Sequence, residues 1–259
     1  MLPNYVIAGV MKCGTSALVR GVANHDSVFR AEGKELHYFD RYYERGIGWY
    51  ERCFEDRGDA KAFGEATPYL GHQIAVDRMV ADLPETRFIV ILRQPADRAY
   101  SHYWHNIRRK REDLPFEAAL DAEERRRTPD NTLFDYRNLG FYSAQLHDLT
   151  ARVGGDRVHI LLNEDFRDDR EGALRAIWEF LDVDPDAGRI EVPQRSTRRQ
   201  AIRNLKNFVK RRDDDRSYPP IAPELHYSLT KEYEGEIRAL QDFLGRDLSS
   251  WLKMTSPAS

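Results

Sequence analysis

Hydrophobic positions along the chain fall into two alternating patterns. Continuous apolar runs rich in β-branched residues, at Tyr5-Val6-Ile7-Ala8, Phe88-Ile89-Val90-Ile91-Leu92 and Val158-His159-Ile160-Leu161-Leu162, read as strands buried on both faces. Shorter runs at 25–29 and at 62–65, the latter stopped by Pro68, read as two more. Between the strands, apolar residues recur at helical spacing over 17–22, 73–82, 115–127, 140–153 and 170–181. Gly46 leads a short amphipathic helix ending near Phe54, and Pro95 starts a long polar helix running through His105 to 111. A last helix is predicted over 223–244, where Leu225, Leu229, Tyr233, Ile237, Leu240 and Leu244 keep register. Strands alternating with helices predict an α/β fold: one doubly wound domain with a central parallel sheet flanked by helices.

Length agrees with that reading. A chain of 259 residues can bury one large core. We assign 1–259 to a single domain, with its core over about 3–182 and a basic connector and C-terminal helix over 183–259. Apolar residues make up 41%, charged residues 32%, and the net charge is −3, so the chain as a whole is no polyanion binder and a nucleic-acid partner is not expected. The basic residues are nevertheless clustered, at 108–111, 125–127, 195–203 and 206–212, each of which taken alone reads as a solvated face. Cys13 and Cys53 have no metal-ligand spacing, and neither a disulfide framework nor a metal site is expected. No apolar run reaches the length of a membrane span, and the first residues lack the pattern of a signal peptide. The expected location is cytoplasmic.

Candidate chemistry gathers where the first strand meets the first helix, at Gly9-Val10-Met11-Lys12-Cys13-Gly14-Thr15-Ser16-Ala17. Glycines admit close approach of backbone to a phosphate, the first N–H groups of a helix lack intrahelical partners, and Lys12 adds a full charge. Thr15 and Ser16 add hydroxyl donors. A nucleoside-triphosphate loop requires the lysine after the last glycine. Here Lys12 stands two residues before Gly14, which weakens that reading. A second candidate lies at the end of the 87–92 strand, where Arg93 occupies the position at which open α/β sheets meet their ligands.

Several stretches, in the same order across the first two-thirds of the chain, resemble the sulfotransferases that use 3′-phosphoadenosine 5′-phosphosulfate (PAPS). The pattern is nearest to the heparan sulfate N- and 3-O-sulfotransferase domains and their bacterial homologues. Lys12-Cys13-Gly14-Thr15-Ser16 is similar to their 5′-phosphosulfate loop, and Arg93-Gln94-Pro95-Ala96-Asp97-Arg98-Ala99-Tyr100-Ser101 to their 3′-phosphate motif. The resemblance implies that Lys12, Cys13, Gly14, Thr15, Ser16 and Ala17 hold the phosphosulfate, and that Arg93 and Ser101 hold the 3′-phosphate. Lys34-Glu35-Leu36-His37-Tyr38-Phe39 is similar to the Glu-x-His-Phe-Phe segment, which implies Glu35 as the general base. His37, two residues on, is the second candidate for that role or a residue that shapes the pocket. On an extended segment the two side chains share a face. Gly46-Ile47-Gly48-Trp49-Tyr50 and Gly140-Phe141-Tyr142 resemble further landmarks, and Tyr142 or Trp49 is a candidate to stack on a base or sugar.

Two departures stand out. Ala66, in Gly64-Glu65-Ala66-Thr67-Pro68, occupies the place of a lysine in the heparan sulfate enzymes. The late Lys-Gly-Arg loop is not visible, and Arg198 and Arg199, in Arg195-Ser196-Thr197-Arg198-Arg199, stand in the corresponding region, with a basic connector as the equal alternative.

The expectation is a phosphosulfate-dependent enzyme, with PAPS as co-substrate, no metal, and a glycan or small-molecule acceptor. One rival is an atypical nucleotide-dependent kinase, which needs acidic magnesium ligands such as Glu65 or Asp165. Another is a binding module for sulfated or phosphorylated ligands with no chemistry.

Overall fold

A computed structural model of the protein describes residues 1–33, 35–128, 132–190 and 218–253. Its strands are β1 (Tyr5–Gly9), β2 (Val28–Arg30), β3 (Ala62–Glu65), β4 (Arg87–Leu92) and β5 (Val158–Leu162). They form one parallel sheet in the order β2-β3-β1-β4-β5. Every residue of β1 is buried, as a central strand covered on both faces requires. Gly64 pairs with Tyr5, and a Cβ there would overlap the Tyr5 carbonyl oxygen, so only glycine permits this spacing.

Winding begins at β1 and proceeds through β2 and β3 on one side, then β4 and β5 on the other. The order therefore reverses between β1 and β4, and the crevice beyond their carboxyl ends is where such a sheet accepts ligands. Helix α1 (Thr15–Val22) follows β1. Next come α2 (Tyr38–Arg41) and α3 (Ile47–Arg52), which pack an aromatic cluster of Tyr38, Phe39, Tyr50 and Phe54 under β3. Helices α4 (Gln73–Asp82), α5 (Pro95–Arg108), α6 (Phe116–Arg126) and α7 (Tyr142–Val153) precede β5, and α8 (Asn163–Asp168) and α9 (Arg170–Phe180) follow it. Trp178 of α9 is fully buried and donates its indole N–H to the Val22 carbonyl at 3.1 Å, which fixes α9 against α1.

The core reaches past residue 182. Val183 is buried, Gly188 bridges to His25, and Arg189 N–H donates to the Asn24 carbonyl at 2.8 Å. The helix predicted over 223–244 is two: α10 (Pro223–Glu232) and α11 (Glu234–Leu244), followed by α12 (Ser249–Leu252). The break falls at Tyr233, which is buried against Gly140 and donates its hydroxyl to the Arg137 carbonyl at 2.8 Å. Gln94 joins these helices to the core. Its Oε1 caps α5 by accepting from Asp97 N–H at 2.8 Å, while its Nε2 donates to Thr230 Oγ1 at 3.0 Å and the Trp251 carbonyl at 3.3 Å.

Candidate functional site

The loop from Val10 to Gly14 leaves β1 and returns into α1. Lys12 is left-handed at φ 69° and Gly14 at φ 100°, so the chain turns sharply enough to present its amides at the helix start. Gly14 is required twice over, since a Cβ there would also lie 2.5 Å from Asn163 Nδ2. That amide donates to the Cys13 carbonyl at 2.9 Å, tying the loop to the start of α8. No side chain caps α1, and its first turn holds no acidic residue. A helix end of this kind accepts an anion. Thr15, Ser16 and Ala17 occupy that first turn, half-buried.

β4 places the second predicted motif beside it. Val10 N–H donates to the Ile91 carbonyl at 3.0 Å, so the two strand ends leave the sheet side by side. Arg93 follows, half-exposed, its guanidinium 3.9 Å from the Asp97 carboxylate. Ser101 lies two turns along α5, buried. Tyr142 joins the two loops: its hydroxyl donates to the Arg93 carbonyl at 2.9 Å and lies 3.9 Å from Cys13 Sγ. Tyr142 is fully buried, so it braces both loops from beneath and presents no ring face for stacking on a base. Burial pushes the Cys13 thiol up to about 11 in spite of the nearby Arg98 and Arg93 charges, which suits a small loop residue and not a nucleophile.

Arg98, missed by sequence reasoning, sits in the floor of this region. It is wholly buried, and its Nη2 donates to the Tyr136 carbonyl while Nε and Nη1 have no partner among the described residues. Burial, and then the charges of Arg98, His105 and Lys12, hold the neighbouring His102 well below the usual histidine range. Positive charge with unsatisfied donors is costly without an anion nearby, so the residues present fit an anionic ligand in this region. The signal available in the sequence was an arginine five residues after Arg93, on an otherwise ordinary helix.

Glu35 and His37 do meet, though not by strand alternation. Both are left-handed, at φ 67° and 52°, and the turn brings Glu35 Oε2 to 3.3 Å from His37 Nε2. His37 Nδ1 lies 2.8 Å from Asp40 Oδ2, one turn into α2, which completes a Glu35–His37–Asp40 row. Burial opposes a charge on this imidazole, but the hydrogen bonds to Asp40 and Glu35 outweigh it and push His37 up to about 9. A value raised that far favours the imidazolium at neutral pH, in which Nδ1 donates to Asp40 and Nε2 to Glu35. Asp40 was signalled only by its i+3 spacing from His37.

Ala66 is buried and uncharged, as expected of its side chain. Its neighbour Glu65 accepts from Thr67 Oγ1 at 2.5 Å, Tyr69 OH at 2.7 Å and Tyr50 OH at 3.1 Å. Asp165 forms a two-pronged pair with Arg246. Both carboxylates named for a kinase are thus committed within the fold. Arg198 and Arg199 lie outside the described residues. Among the described residues, no helix is long and apolar enough to cross a membrane.

A family model described as a sulfotransferase domain matches residues 2–215. The chain is 32% identical over 181 residues to mouse heparan sulfate glucosamine 3-O-sulfotransferase 3A1, covering 70% of this chain and 46% of that protein. It is 37% identical over 180 residues to human heparan sulfate glucosamine 3-O-sulfotransferase 6, covering 69% of this chain and 52% of that one. The chain thus spans about half the length of these curated relatives. A crystal structure of a sulfotransferase from Alicyclobacillus acidocaldarius superposes with a TM-score of 0.81 at 29% identity, covering 98% of this chain and 100% of the other.

Proposed function

Because the chain belongs to the sulfotransferase family, we propose that it transfers a sulfuryl group from PAPS to a hydroxyl or amine of an acidic saccharide. PAPS supplies an activated sulfuryl group on a phosphate leaving group, together with a second phosphate on the ribose. The Lys12 loop and the start of α1 suit the phosphosulfate end, and Arg93 with Ser101 suits the 3′-phosphate. The observation that carries this reading is the Tyr142 brace, 2.9 Å from the Arg93 carbonyl and 3.9 Å from Cys13 Sγ, which holds the two candidate loops side by side.

Within that site each residue has a physical task. The Lys12 ammonium stands where charge grows on the departing phosphate. A Glu35 carboxylate oxygen takes the proton of the attacking hydroxyl or amine. The His37 imidazolium, held by Asp40, fixes Glu35 Oε2 and keeps positive charge beside it.

The surface one turn beyond His37 supports this acceptor class. Tyr42 N–H donates to the His37 carbonyl at 3.0 Å. The Arg45 guanidinium lies 4.3 Å from the Tyr42 ring centre and 4.8 Å from that of Trp49, an exposed pairing of aromatic faces and cation suited to an anionic sugar. The names of the relatives point the same way, since they act on heparan sulfate.

The test is E35Q, assayed with labelled PAPS and a panel of sulfated and unsulfated saccharides. Turnover is expected to disappear while calorimetry still shows binding of 3′-phosphoadenosine 5′-phosphate. Full turnover by E35Q would remove Glu35 as base. Binding of ATP with magnesium, and no binding of the bisphosphate without metal, would favour the kinase. An absence of any transfer by the unaltered protein, with the bisphosphate bound, would favour the binding module.

A further inference from the structure

Glu35 and His37 both occupy left-handed backbone conformations that a side-chain-bearing residue rarely adopts. Such a segment persists only where its surroundings over-determine it. The surroundings here converge on Glu65, at the end of β3, which is 2% exposed. Thr67 Oγ1 donates to Glu65 Oε2 at 2.5 Å and accepts the His37 N–H at 3.3 Å. Tyr69 OH donates to Glu65 Oε1 at 2.7 Å and accepts the Tyr38 N–H at 3.0 Å. The Leu36 backbone also hydrogen-bonds Glu65. One buried carboxylate therefore holds three consecutive backbone groups, at 36, 37 and 38, directly or through a hydroxyl.

Its position links that hold to the phosphosulfate loop. Glu65 pairs in register with Val6 of β1, and the segment that follows it is fastened by Leu70 N–H to the Ala8 carbonyl at 2.9 Å. Thr67, Tyr69 and Tyr50 are all buried, so the network is shielded from water, where hydrogen bonds to a carboxylate are strongest.

We propose that Glu65 is a positioning residue for the reaction: through Thr67 and Tyr69 it fixes the 36–38 backbone, and so sets where Glu35 and His37 stand relative to the Lys12 loop. This rests on the reading of Glu35 as the proton acceptor. Tyr50 supplies the internal comparison. It donates to Glu65 at 3.1 Å, and among the described residues no backbone group of 36–38 bonds to its hydroxyl.

The experiment compares T67V, Y69F, T67S and Y50F in the full chain, with E65Q as the severe variant and E35Q in parallel. T67V and Y69F each break one bridge. Each is expected to lower kcat by roughly 10- to 100-fold, since small displacements of a catalytic group cost on that order, with KM for PAPS little changed. T67S keeps the hydroxyl and should recover kcat; Y50F loses a buried hydroxyl but no bridge and should keep it. A second readout needs no turnover: NMR titration of His37 should move down from about 9 in T67V and Y69F as the Glu35–His37 contact loosens, and stay in Y50F. If kcat and the His37 titration are unchanged in T67V and Y69F, or if Y50F falls as far as they do, the proposal is overturned. Retained turnover in E35Q, with the His37 shifts still present in T67V and Y69F, would remove Glu35 as base and leave the positioning of the segment standing.

Discussion

Lys12, His37 and Cys13 show how environment assigns different tasks to residues of one candidate site. On the proposed reaction Lys12 opposes charge that develops only during transfer, so K12A is expected to lower kcat by about 10²–10³-fold. Calorimetry should show a much smaller change in bisphosphate affinity. His37 has its folded value raised from 6.5 to about 9. Its protonation therefore contributes stability that is fully present below pH 6.5 and is lost as pH rises through about 9. Thermal melts from pH 6 to 10 should decline across that window, and D40N, which removes the strongest partner, should flatten the decline. The Cys13 thiol, buried and pushed up to about 11, should resist alkylation by iodoacetamide in the native protein and react on unfolding. Rapid native labelling of Cys13 would contradict its burial.

At the scale of elements, the site is made by strand ends and the turns that follow them. Gly14 carries the tightest constraint, with φ at 100° and Asn163 Nδ2 2.5 Å from where a Cβ would be. G14A is expected to cost about 1–3 kcal/mol of stability and to weaken bisphosphate binding, read by thermal melting and calorimetry. N163A should relieve the clash but release the Cys13 carbonyl and leave φ at 100°, so combining it with G14A should recover only part of the stability and none of the affinity. Strands 62–65, 87–92 and 158–162 were legible residue for residue, because apolar runs bounded by turn residues report burial on both faces. The 35–37 turn was not. Alternation along an extended chain and left-handed turns at Glu35 and His37 both bring the two side chains together, and no local pattern separates the two.

For the whole molecule, the helices after 218 belong to the core that supports the site. Leu229, Tyr233, Ile237 and Leu240 are buried, and Gln94, beside Arg93, is held by Thr230 and Trp251. I237A and L240A are each expected to cost about 2–5 kcal/mol in denaturant unfolding. Loss of bisphosphate binding should accompany unfolding and not precede it. The break at Tyr233 was hidden from helical periodicity, since its position keeps register with both helices while its ring seeks Gly140 across the molecule.

By itself the sequence determined the strands and most of the longer helices, that two candidate anion-binding motifs each follow a strand, and that Glu35 and His37 stand close in chain. These properties are local: periodicity, glycine placement and residue order carry them. The tertiary structure alone decided that the two motifs emerge from adjacent strands and that Tyr142 braces both. It likewise decided that Arg98 is buried beneath the site and that Glu65 reaches the 36–38 backbone. Each of those depends on groups far apart in sequence and on desolvation, which exists only once the chain has closed around them.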